Sequence, residues 1–317
     1  MAHQIESDYA FFASNTPAWH KIGHVLKDAP TIEQACTLAA NNHTYHKCDI
    51  TITGTDINIQ SAKMIMRDDG KEIGHVGEDY ELIQPAEMFQ RFKPLLDSNL
   101  VKLEAGGLLN EGKRIWALGK VIGSDTEIIK NDVVKQYVLF SGSFDGSLSD
   151  SSQFTGVRVV CANTLAMARR DKNQKYAFKH TKNIRDKIKD VVSNLKESIS
   201  QFQATTQAMQ LMARTKLDRK LQESYIKTVF EYNESEPEKN SPQLDVKVSQ
   251  VIELLDNQKG LELVPAIRGT TWQAYNAISE YVTHQYGRND DSRVNAQYFG
   301  VTKTLNERAF DLALQVC

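Results

Sequence analysis

The spacing of apolar residues divides the chain into a strand-like N-terminal part and a helix-like C-terminal part. In the first part, short apolar runs alternate with polar residues and are separated by turn signals such as Gly54, Thr55 and Asp56. A period of two between such signals is typical of strands that pair as hairpins. From Ile184 to Met212, apolar residues recur at intervals of three and four without an intervening glycine or proline, which predicts a long helix.

These patterns predict an α+β fold with an antiparallel, hairpin-rich N-terminal half, a basic crossing segment, a long helix and a helical C-terminal half. Because the strands follow one another instead of alternating with helices, a doubly wound parallel sheet is disfavoured. We expect an α+β core over residues 1–182 and a mainly helical region over residues 183–317.

Local signals place elements in the N-terminal half. Thr31 is typical of a helix N-cap, so a helix is expected over residues 31–41. Residues 100–121 are expected to form a hairpin whose loop includes Gly106 and Gly107.

Other local signals concern turns and the C-terminal half. Residues 125–133 are expected to be polar and turn-like. Near residues 231–243 the sequence is acidic and contains proline, which predicts a linker that is disordered or a mobile loop. Further helices are expected over residues 215–232, 244–255, 270–286 and 305–316.

Length and composition bound the class of protein. With 317 residues, 41% of them hydrophobic and 25% charged, the chain suits one large or two medium domains with a sizeable core. No apolar run approaches the roughly 20 residues of a membrane helix, and the first residues lack the basic start and apolar stretch of a signal peptide. The four cysteines are scattered without a CxxC pair, which fits free thiols in a reducing cytoplasm. We therefore expect a cytoplasmic protein with no membrane partner.

Positive charge is concentrated between residues 169 and 189, which we call the basic segment. It holds nine Lys and Arg residues against two Asp residues, a net charge of +7 in a chain whose formal net charge is −2. Lys and Arg neutralise phosphates and release counterions, so one basic face on an otherwise acidic body is common in nucleic-acid-binding proteins. The expected nucleic-acid contacts are Arg158, Arg169, Arg170, Lys172, Lys175, Lys179, His180, Lys182 and Arg185.

Two interpretations of the basic segment stay open. Tyr176 and Phe178 lie between its cations, and such aromatic rings can stack on the bases of single strands. In a strand they would share one face while Lys175 and Lys179 share the other, so the rings also fit a position in the core. The charges also fit a solvated helix face, although such faces usually interleave acidic residues more evenly.

Candidate metal ligands are few. His43, His46 and Cys48 have the spacing His-x2-His-x-Cys, but zinc needs about four ligands and no partner cluster lies nearby in the sequence. His20 and His24 would complete such a site only if they lay on a helix, which the local pattern disfavours. We therefore expect no metal site.

A stretch rich in Gly, Ser and Asp, residues 141–152, lies between two apolar runs. Asp145 and Asp150 within it could be metal carboxylates, but aspartate is also a frequent turn former. We interpret both as turn residues.

An enzyme would need a nucleophile, a base or a metal cluster. Cys161 beside Asn163, together with His180 or His75 from distant parts of the sequence, has the residue types of a Cys/His catalytic site. Cys161 closes an apolar strand pattern, however, where a buried structural cysteine is commoner. The sequence contains no HExxH motif, paired carboxylates or P-loop, so we expect no catalytic residues and no cofactor.

Several stretches give the chain a resemblance to a known family. They are residues 19–23 (WHKIG), 76–85 (VGEDYELIQP), 112–118 (GKRIWAL), 158–165 (RVVCANTL), 179–181 (KHT) and 299–300 (FG). In combination, and over most of the chain, they resemble the phage/plasmid-like proteins grouped as domain of unknown function 932. The resemblance implies a phage or plasmid origin and supplies no agreed activity.

The predicted architecture is also similar, without a shared motif, to the single-strand annealing recombinases of the RecT/Redβ/Erf class. This analogy implies a homo-oligomeric ring or filament with a basic groove that holds single-stranded DNA by its backbone. We therefore predict a DNA-binding protein that prefers single strands, anneals them in homologous recombination and acts in the bacterial host cytoplasm. The alternatives are a protein-interaction factor, for example a host-defence antagonist, and an uncharacterised Cys/His or metal-dependent enzyme.

Overall fold

The structure, a computed structural model, describes residues 5–13, 23–158, 163–165, 176–178, 180, 182–183, 186, 202–287, 296 and 300–317. The chain divides into two compact units. The first takes its residues from 1–122, 137–154 and 171–199, and the second from 123–136, 155–170 and 200–317. Two stretches from the middle of the chain thus belong with the C-terminal residues.

Within the described ranges, strands with three short helices among them extend to residue 178, and helices follow from residue 202. The strands are β1 (Ile5–Ala13), β2 (His24–Leu26), β3 (Tyr45–Thr51), β4 (Asn58–Arg67), β5 (Glu72–Gly77), β6 (Val101–Leu109), β7 (Arg114–Val121), β8 (Thr126–Ile129), β9 (Asp132–Ser143), β10 (Asp150–Arg158), β11 (Asn163–Leu165) and β12 (Tyr176–Phe178). The α-helices are α1 (Ile32–Ala40), α2 (Pro85–Gln90), α3 (Lys93–Asp97), α4 (Phe202–Arg214), α5 (Arg219–Val229), α6 (Pro242–Asn257), α7 (Thr271–Glu280) and α8 (Val301–Val316). This order confirms the predicted α+β fold.

The larger sheet of the first unit is mostly antiparallel. Among the described strands of this unit, β2-β1-β6-β7-β9-β10 follow one another, and β12 pairs with β10 off this path. β6 pairs with β7 and β7 with β9 in antiparallel register, whereas β1 and β2 are parallel. The predicted hairpin-rich character of the N-terminal half is therefore confirmed.

The first helix has the predicted cap. The Thr31 side chain accepts a hydrogen bond from the Gln34 backbone N–H at 3.2 Å, and the Gln34 side chain accepts one from the Thr31 N–H at 2.9 Å. These reciprocal bonds satisfy two N–H groups that the first turn leaves free. Asn41 ends the helix in the left-handed region, with φ of 47°.

The β6–β7 hairpin differs from the expectation in one respect. Gly106 and Gly107 lie within β6, so their assignment to the loop was wrong. A Cβ atom on Gly107 would lie 2.7 Å from the carbonyl oxygen of Tyr9 in β1. Glycine is therefore needed here because two backbones approach closely, and a glycine can serve that purpose inside a strand as well as in a turn.

Aromatic and aliphatic residues of the helices pack with the sheet in the core of the first unit. Phe89, Phe92 and Phe140 belong to one buried cluster, and the rings of Phe92 and Phe140 meet edge to face at 4.6 Å. Phe89 lies in the short helix α2, and Phe92 directly precedes the short helix α3.

A second, three-stranded sheet in the first unit has the order β3-β4-β5. The turn expected at residues 54–56 joins β3 and β4. Around this turn the hairpin is open to solvent: Ile52 is 47% exposed, Ile57 60% and Ile59 37%. The three-stranded sheet therefore ends in an apolar hairpin tip, residues 52–59.

The second unit is built around α7, all of whose residues are buried. The Trp272 indole Nε1 in α7 donates a hydrogen bond to Asp132 Oδ2 at 2.8 Å. Asp132 is the first residue of β9, and β8 precedes it. Residues 125–133 thus contain strand structure, and the prediction of a turn over the whole stretch was wrong.

The helices of the second unit differ by a few residues from their expected limits. α5 begins at Arg219 because the Asp218 side chain accepts the Leu221 N–H at 2.9 Å and so caps the helix. Of the long helix expected over residues 184–212, only α4 and the helical residue Asp186 lie within the described residues.

The expected linker near residues 231–243 has local order. The Asn240 side chain accepts the Asn233 N–H at 3.0 Å and donates to the Asn233 carbonyl at 3.0 Å. A short 3-10 turn, Pro237–Lys239, lies between these two residues. The polar composition therefore serves side-chain to backbone hydrogen bonds that close the loop.

Among the helices described, we find none with both the length and the apolar character that a bilayer crossing requires.

Candidate functional site around His180

Two of the predicted nucleic-acid contacts have described side chains, His180 and Lys182. The backbone of Arg158 ends β10, but its side chain lies outside the described residues. The remaining predicted contacts, Arg169, Arg170, Lys172, Lys175, Lys179 and Arg185, also lie outside the described residues. The site can therefore be built from the residues around His180.

His180 is buried, with 8% of its surface exposed. Its ring stacks on the Tyr80 ring at a centroid distance of 4.5 Å and an interplanar angle of 10°. Its Nδ1 lies 2.8 Å from the Glu81 carbonyl oxygen, and the Glu81 N–H donates to the His180 carbonyl at 3.2 Å. His180 thus fixes the chain within the basic segment to residues 80–81. This burial does not present the ring to a phosphate.

A buried carboxylate lies on the other side of the ring. Asp150, the first residue of β10, is 1% exposed, and its Oδ2 accepts a charge-assisted hydrogen bond from Arg91 Nη2. His180 Nε2 lies 3.5 Å from Asp150 Oδ1, which is long for a hydrogen bond and which we treat as an electrostatic contact. We call Tyr80, Arg91, Asp150 and His180 the His180 cluster.

Within this cluster, the positive charge of Arg91 compensates the negative charge of Asp150. Burial by itself raises the pKa of the Asp150 carboxyl, but the charge of Arg91 and the contact with His180 outweigh it and hold that pKa below the ordinary value. Asp150 is therefore a buried carboxylate, which is stable there because Arg91 supplies the compensating charge.

Gly142 in β9 makes room for this carboxylate. A Cβ atom on Gly142 would overlap Asp150 Oδ1. The Gly/Ser-rich composition of residues 141–152 thus has a packing purpose in addition to the turn. The turn interpretation is confirmed for Asp145, whose Oδ1 accepts the Ser147 N–H at 2.9 Å. For Asp150 it was wrong, because this residue opens a strand and joins a buried ion pair.

Hydrogen-bond roles limit what His180 can do. A carbonyl oxygen only accepts, so Nδ1 must carry a hydrogen to bond with Glu81. The other nitrogen, Nε2, faces the Asp150 carboxylate, which is also an acceptor. Neither nitrogen of this ring is presented to a substrate as a base, and the geometry therefore favours an anchor over a catalytic group.

The Tyr80 hydroxyl is also engaged in a hydrogen bond within the protein. Its hydroxyl donates to the Ser143 carbonyl at 2.8 Å. Burial, with a smaller contribution from the charges of Asp150 and Asp145, raises the pKa of this hydroxyl well above its ordinary value. Tyr80 is therefore a neutral hydrogen-bond donor that closes the cluster against β9.

The expectations for metal and Cys/His chemistry both involve residues outside the described ranges. Within the described ranges, no three His, Cys, Asp or Glu residues are grouped as metal ligands, whereas His20 lies outside those ranges. Cys161, the nucleophile of the Cys/His alternative, also lies outside the described residues, and His75 is exposed on β5. The Cys/His alternative therefore stays a prediction.

The residues that sequence reasoning missed are Arg91 and the pairing of Asp150 with it. One signal was present: Arg91 lies between Phe89 and Phe92, two core residues of the helical segment. A charged residue within an apolar run points to a buried partner. The identity of the partner, at residue 150, depends on contacts that are remote in sequence.

Two stretches that carry the family resemblance meet in the cluster, because Tyr80 and Glu81 come from residues 76–85 and His180 from residues 179–181. A family model described as Domain of unknown function (DUF932) matches residues 72–299. The chain belongs to this family. The matched range of the family includes Arg91, Asp150 and His180. No curated protein and no solved structure matches the chain.

Proposed function

We propose that this DUF932 protein binds single-stranded DNA through the basic segment and anneals complementary strands during homologous recombination. It acts as a phage- or plasmid-encoded protein in the cytoplasm of a bacterial host. The phosphate backbone supplies the binding energy, so affinity depends little on sequence and falls with salt.

The observation that carries the proposal is the separation of charge. The basic segment has a net charge of +7 in a chain whose net charge is −2. Within it, the Lys182 side chain is 79% exposed, and its contact with Asp79 is a long one of 3.8 Å to a carboxylate that is itself 89% exposed. Such a pair is weak in water, so Lys182 is free to exchange Asp79 for a phosphate.

The His180 cluster supports the same proposal in a different way. His180 lies in the middle of the basic segment and is held at a fixed place by Glu81, Tyr80 and Asp150. A cationic segment fixed to a folded unit loses less conformational entropy when it binds than a free one. In the proposal, His180 is therefore an anchor, and the Lys and Arg residues make the contacts.

Self-association is part of the proposal, since annealing requires several subunits on one strand. The hairpin tip, residues 52–59, supports it because Ile52, Ile57 and Ile59 are exposed on an apolar β-hairpin. Sedimentation velocity in the presence of a single-stranded oligonucleotide is expected to give an oligomer. A strictly monomeric profile with DNA bound contradicts this part.

The test is a fluorescence-anisotropy titration with a single-stranded oligonucleotide and its duplex over a salt series. We expect tighter binding of the single strand and a linear fall of log affinity with log salt. The double variant Arg169→Ala with Arg170→Ala is expected to weaken binding with native circular dichroism. The matched control removes two exposed charges elsewhere, Lys216→Ala with Lys220→Ala.

Three outcomes contradict the proposal. No binding at low salt removes DNA as the ligand. Equal loss in the test and control variants assigns binding to overall charge and not to the basic segment. Binding without acceleration of strand pairing, measured with two complementary labelled oligonucleotides, removes the annealing activity.

A further inference from the structure

A second group of polar side chains in the first unit forms a hydrogen-bonded chain. Tyr9 lies in β1, His43 follows α1, and Asp68 follows β4. His43 Nδ1 lies 2.5 Å from Asp68 Oδ1, and His43 Nε2 lies 3.3 Å from the Tyr9 hydroxyl oxygen. We call these residues the Tyr9 triad. They precede residues 72–299, which the family model matches.

The direction of each hydrogen bond follows from the donor and acceptor roles. An ionised carboxylate only accepts hydrogen bonds, so His43 Nδ1 carries a hydrogen and donates a hydrogen bond to Asp68 Oδ1. In the neutral ring Nε2 is then an acceptor, and the Tyr9 hydroxyl must donate to it. A hydroxyl that donates to an imidazole, itself oriented by a carboxylate, is the arrangement of an activated nucleophile.

Asp68 is held as a carboxylate by more than His43. Its Oδ2 accepts the Thr44 N–H at 3.0 Å and the Thr44 hydroxyl at 3.3 Å. Burial raises the pKa of Asp68, but the hydrogen bonds from Thr44 and His43 outweigh it and leave that pKa below the ordinary value. The ring orientation and tautomer of His43 are therefore fixed before any substrate arrives.

The Tyr9 ring is also fixed in place. The Arg67 guanidinium lies over it, with Cζ 5.7 Å from the ring centroid. Arg67 is in turn held by Asp69 through Nε at 3.0 Å and Nη2 at 2.6 Å. On its edge, the Tyr9 ring meets the His43 ring at 5.4 Å and 76°. These contacts leave the hydroxyl facing Nε2 of His43.

The triad is partly exposed, unlike the His180 cluster. Tyr9 is half-buried, the His43 side chain is 10% exposed and the Asp68 side chain is 37% exposed. The triad is therefore less deeply buried than Asp150 and His180, which are 1% and 8% exposed.

We propose that the Tyr9 hydroxyl is a nucleophile that attacks a phosphodiester of single-stranded DNA, with His43 as its general base and Asp68 as a positioning residue. This inference rests on the proposed function for its substrate class. The Tyr9 oxygen forms a bond to phosphorus, and one ester oxygen leaves as a strand hydroxyl. The Tyr9 proton moves to His43 Nε2 and from there to the leaving oxygen. No redox change and no water are needed, and attack by the freed hydroxyl reverses the step.

The first test examines the nucleophile without DNA. An arylsulfonyl fluoride is incubated with the full chain, and the modified residue is located by peptide mass spectrometry. The Tyr9 oxygen bonds to sulfur, fluoride leaves, and His43 takes the proton. Labelling at Tyr9 is expected to fall by about 100-fold in His43→Gln and to disappear in Tyr9→Phe. Asp68→Asn is expected to change the pH profile of the labelling rate, which a purely structural role would leave in place.

The matched control is Tyr232→Phe. Tyr232 is also half-buried, and among the described residues its hydroxyl has the Asp245 carboxylate and the Asn240 side chain as partners and no imidazole. Labelling at Tyr9 is expected to be unchanged in this variant. Equal labelling of Tyr9 and Tyr232 in the unmodified chain, or a rate at Tyr9 that His43→Gln leaves unchanged in a protein with native circular dichroism, overturns the activated nucleophile.

The second test examines the phosphodiester. A labelled single-stranded oligonucleotide is incubated with the protein and analysed on a denaturing gel for a covalent adduct that Tyr9→Phe abolishes. If anisotropy detects binding and no adduct forms, the phosphodiester step is overturned while the proposed function stands. If anisotropy detects no binding, the proposed function and the DNA step both fall, and the sulfonyl fluoride result alone decides whether Tyr9 is a nucleophile.

Discussion

His180 and His43 lie in the same unit, and each is grouped with an aspartate, a tyrosine and an arginine. The His180 ring is stacked on Tyr80 and has a backbone carbonyl and a carboxylate opposite its two nitrogens. The His43 ring has a carboxylate opposite one nitrogen and a hydroxyl opposite the other. With similar neighbouring residue types, His180 therefore has no nitrogen that faces a substrate, whereas His43 has a nitrogen that can accept the Tyr9 proton.

The difference lies in hydrogen-bond roles and burial. Both groups around His180 are acceptors, and the cluster is buried, so the ring contributes a fixed position. Around His43 one partner is a donor, and the aspartate is partly exposed. A histidine in a polar cluster is thus informative about function only when the partners of both nitrogens are known.

The largest expected effect is on the His180 cluster. Asp150→Ala leaves the Arg91 guanidinium buried without its carboxylate, so we expect the free energy of unfolding to fall by about 3–5 kcal/mol. Urea unfolding measures it. The control is Asp97→Ala, which removes an exposed pair with Lys93 and is expected to change stability by less than about 1 kcal/mol. Equal losses would show that Asp150 is no more important than a surface charge.

A smaller effect is expected from Gly142→Ala. The added Cβ overlaps the Asp150 carboxylate, so we expect a loss of about 1–3 kcal/mol. In the Asp150→Ala background the obstacle is absent, and the same substitution is expected to cost less. A double-mutant cycle from urea unfolding measures this coupling, and strictly additive losses would contradict the steric reason.

The two carboxylates also differ in how acid affects them. The pKa of Asp150 lies below its ordinary value, so its stabilising contribution is fully present above the unfolded value of about 3.9 and is lost as pH falls through the folded pKa. Urea midpoints below about pH 4 are expected to fall less steeply in Asp150→Asn. The pKa of Asp68 is also lowered, but its partial exposure predicts a smaller change in Asp68→Asn. The reverse order would refute the assigned burial.

The Tyr9 triad is expected to matter little for stability. Tyr9→Phe removes one hydrogen bond of a half-buried hydroxyl, and we expect a loss of about 0.5–1.5 kcal/mol. Thermal unfolding followed by circular dichroism measures it, with Tyr232→Phe as the control. A loss as large as that of Asp150→Ala would make the triad a structural cluster of the same kind as the His180 cluster.

The smallest effect on stability is expected for Lys182→Ala. Because its contact with Asp79 is long and exposed, the urea midpoint is expected to stay unchanged. The slope of log affinity for single-stranded DNA against log salt is expected to become shallower by about 0.7, the release from one phosphate contact. Lys239→Ala, at an exposed lysine in another loop, is expected to leave that slope unchanged.

Much of the fold was predictable because it depends on local sequence. The cap at Thr31, the turn at residues 54–56 and the β6–β7 hairpin each follow from a few neighbouring residues. The loop position of Gly107 was wrong, because the reason for glycine there is the approach of β1, which lies about a hundred residues earlier in the chain. Local signals thus show that a glycine at a position is unusual, but they do not show which structural constraint requires it.

The candidate sites were less predictable because they also depend on contacts between residues that are remote in sequence. His180 and His43 were both noticed in the sequence, one as a cation beside DNA and the other as a weak metal ligand. Their partners, Asp150 and Asp68, were interpreted as a turn residue or not singled out. The partners lie at sequence separations of 30 and 25 residues, beyond the reach of any periodic pattern.

The sequence by itself determined the order of strands and helices, the caps and turns, and the concentration of positive charge between residues 169 and 189. These properties depend mainly on neighbours in the chain, which is why period, propensity and net charge predicted most of them. Only the tertiary structure decided which aspartate faces which histidine and which glycine had to be glycine. Those outcomes depend on strand pairing and packing, which bring together residues that the linear chain keeps apart.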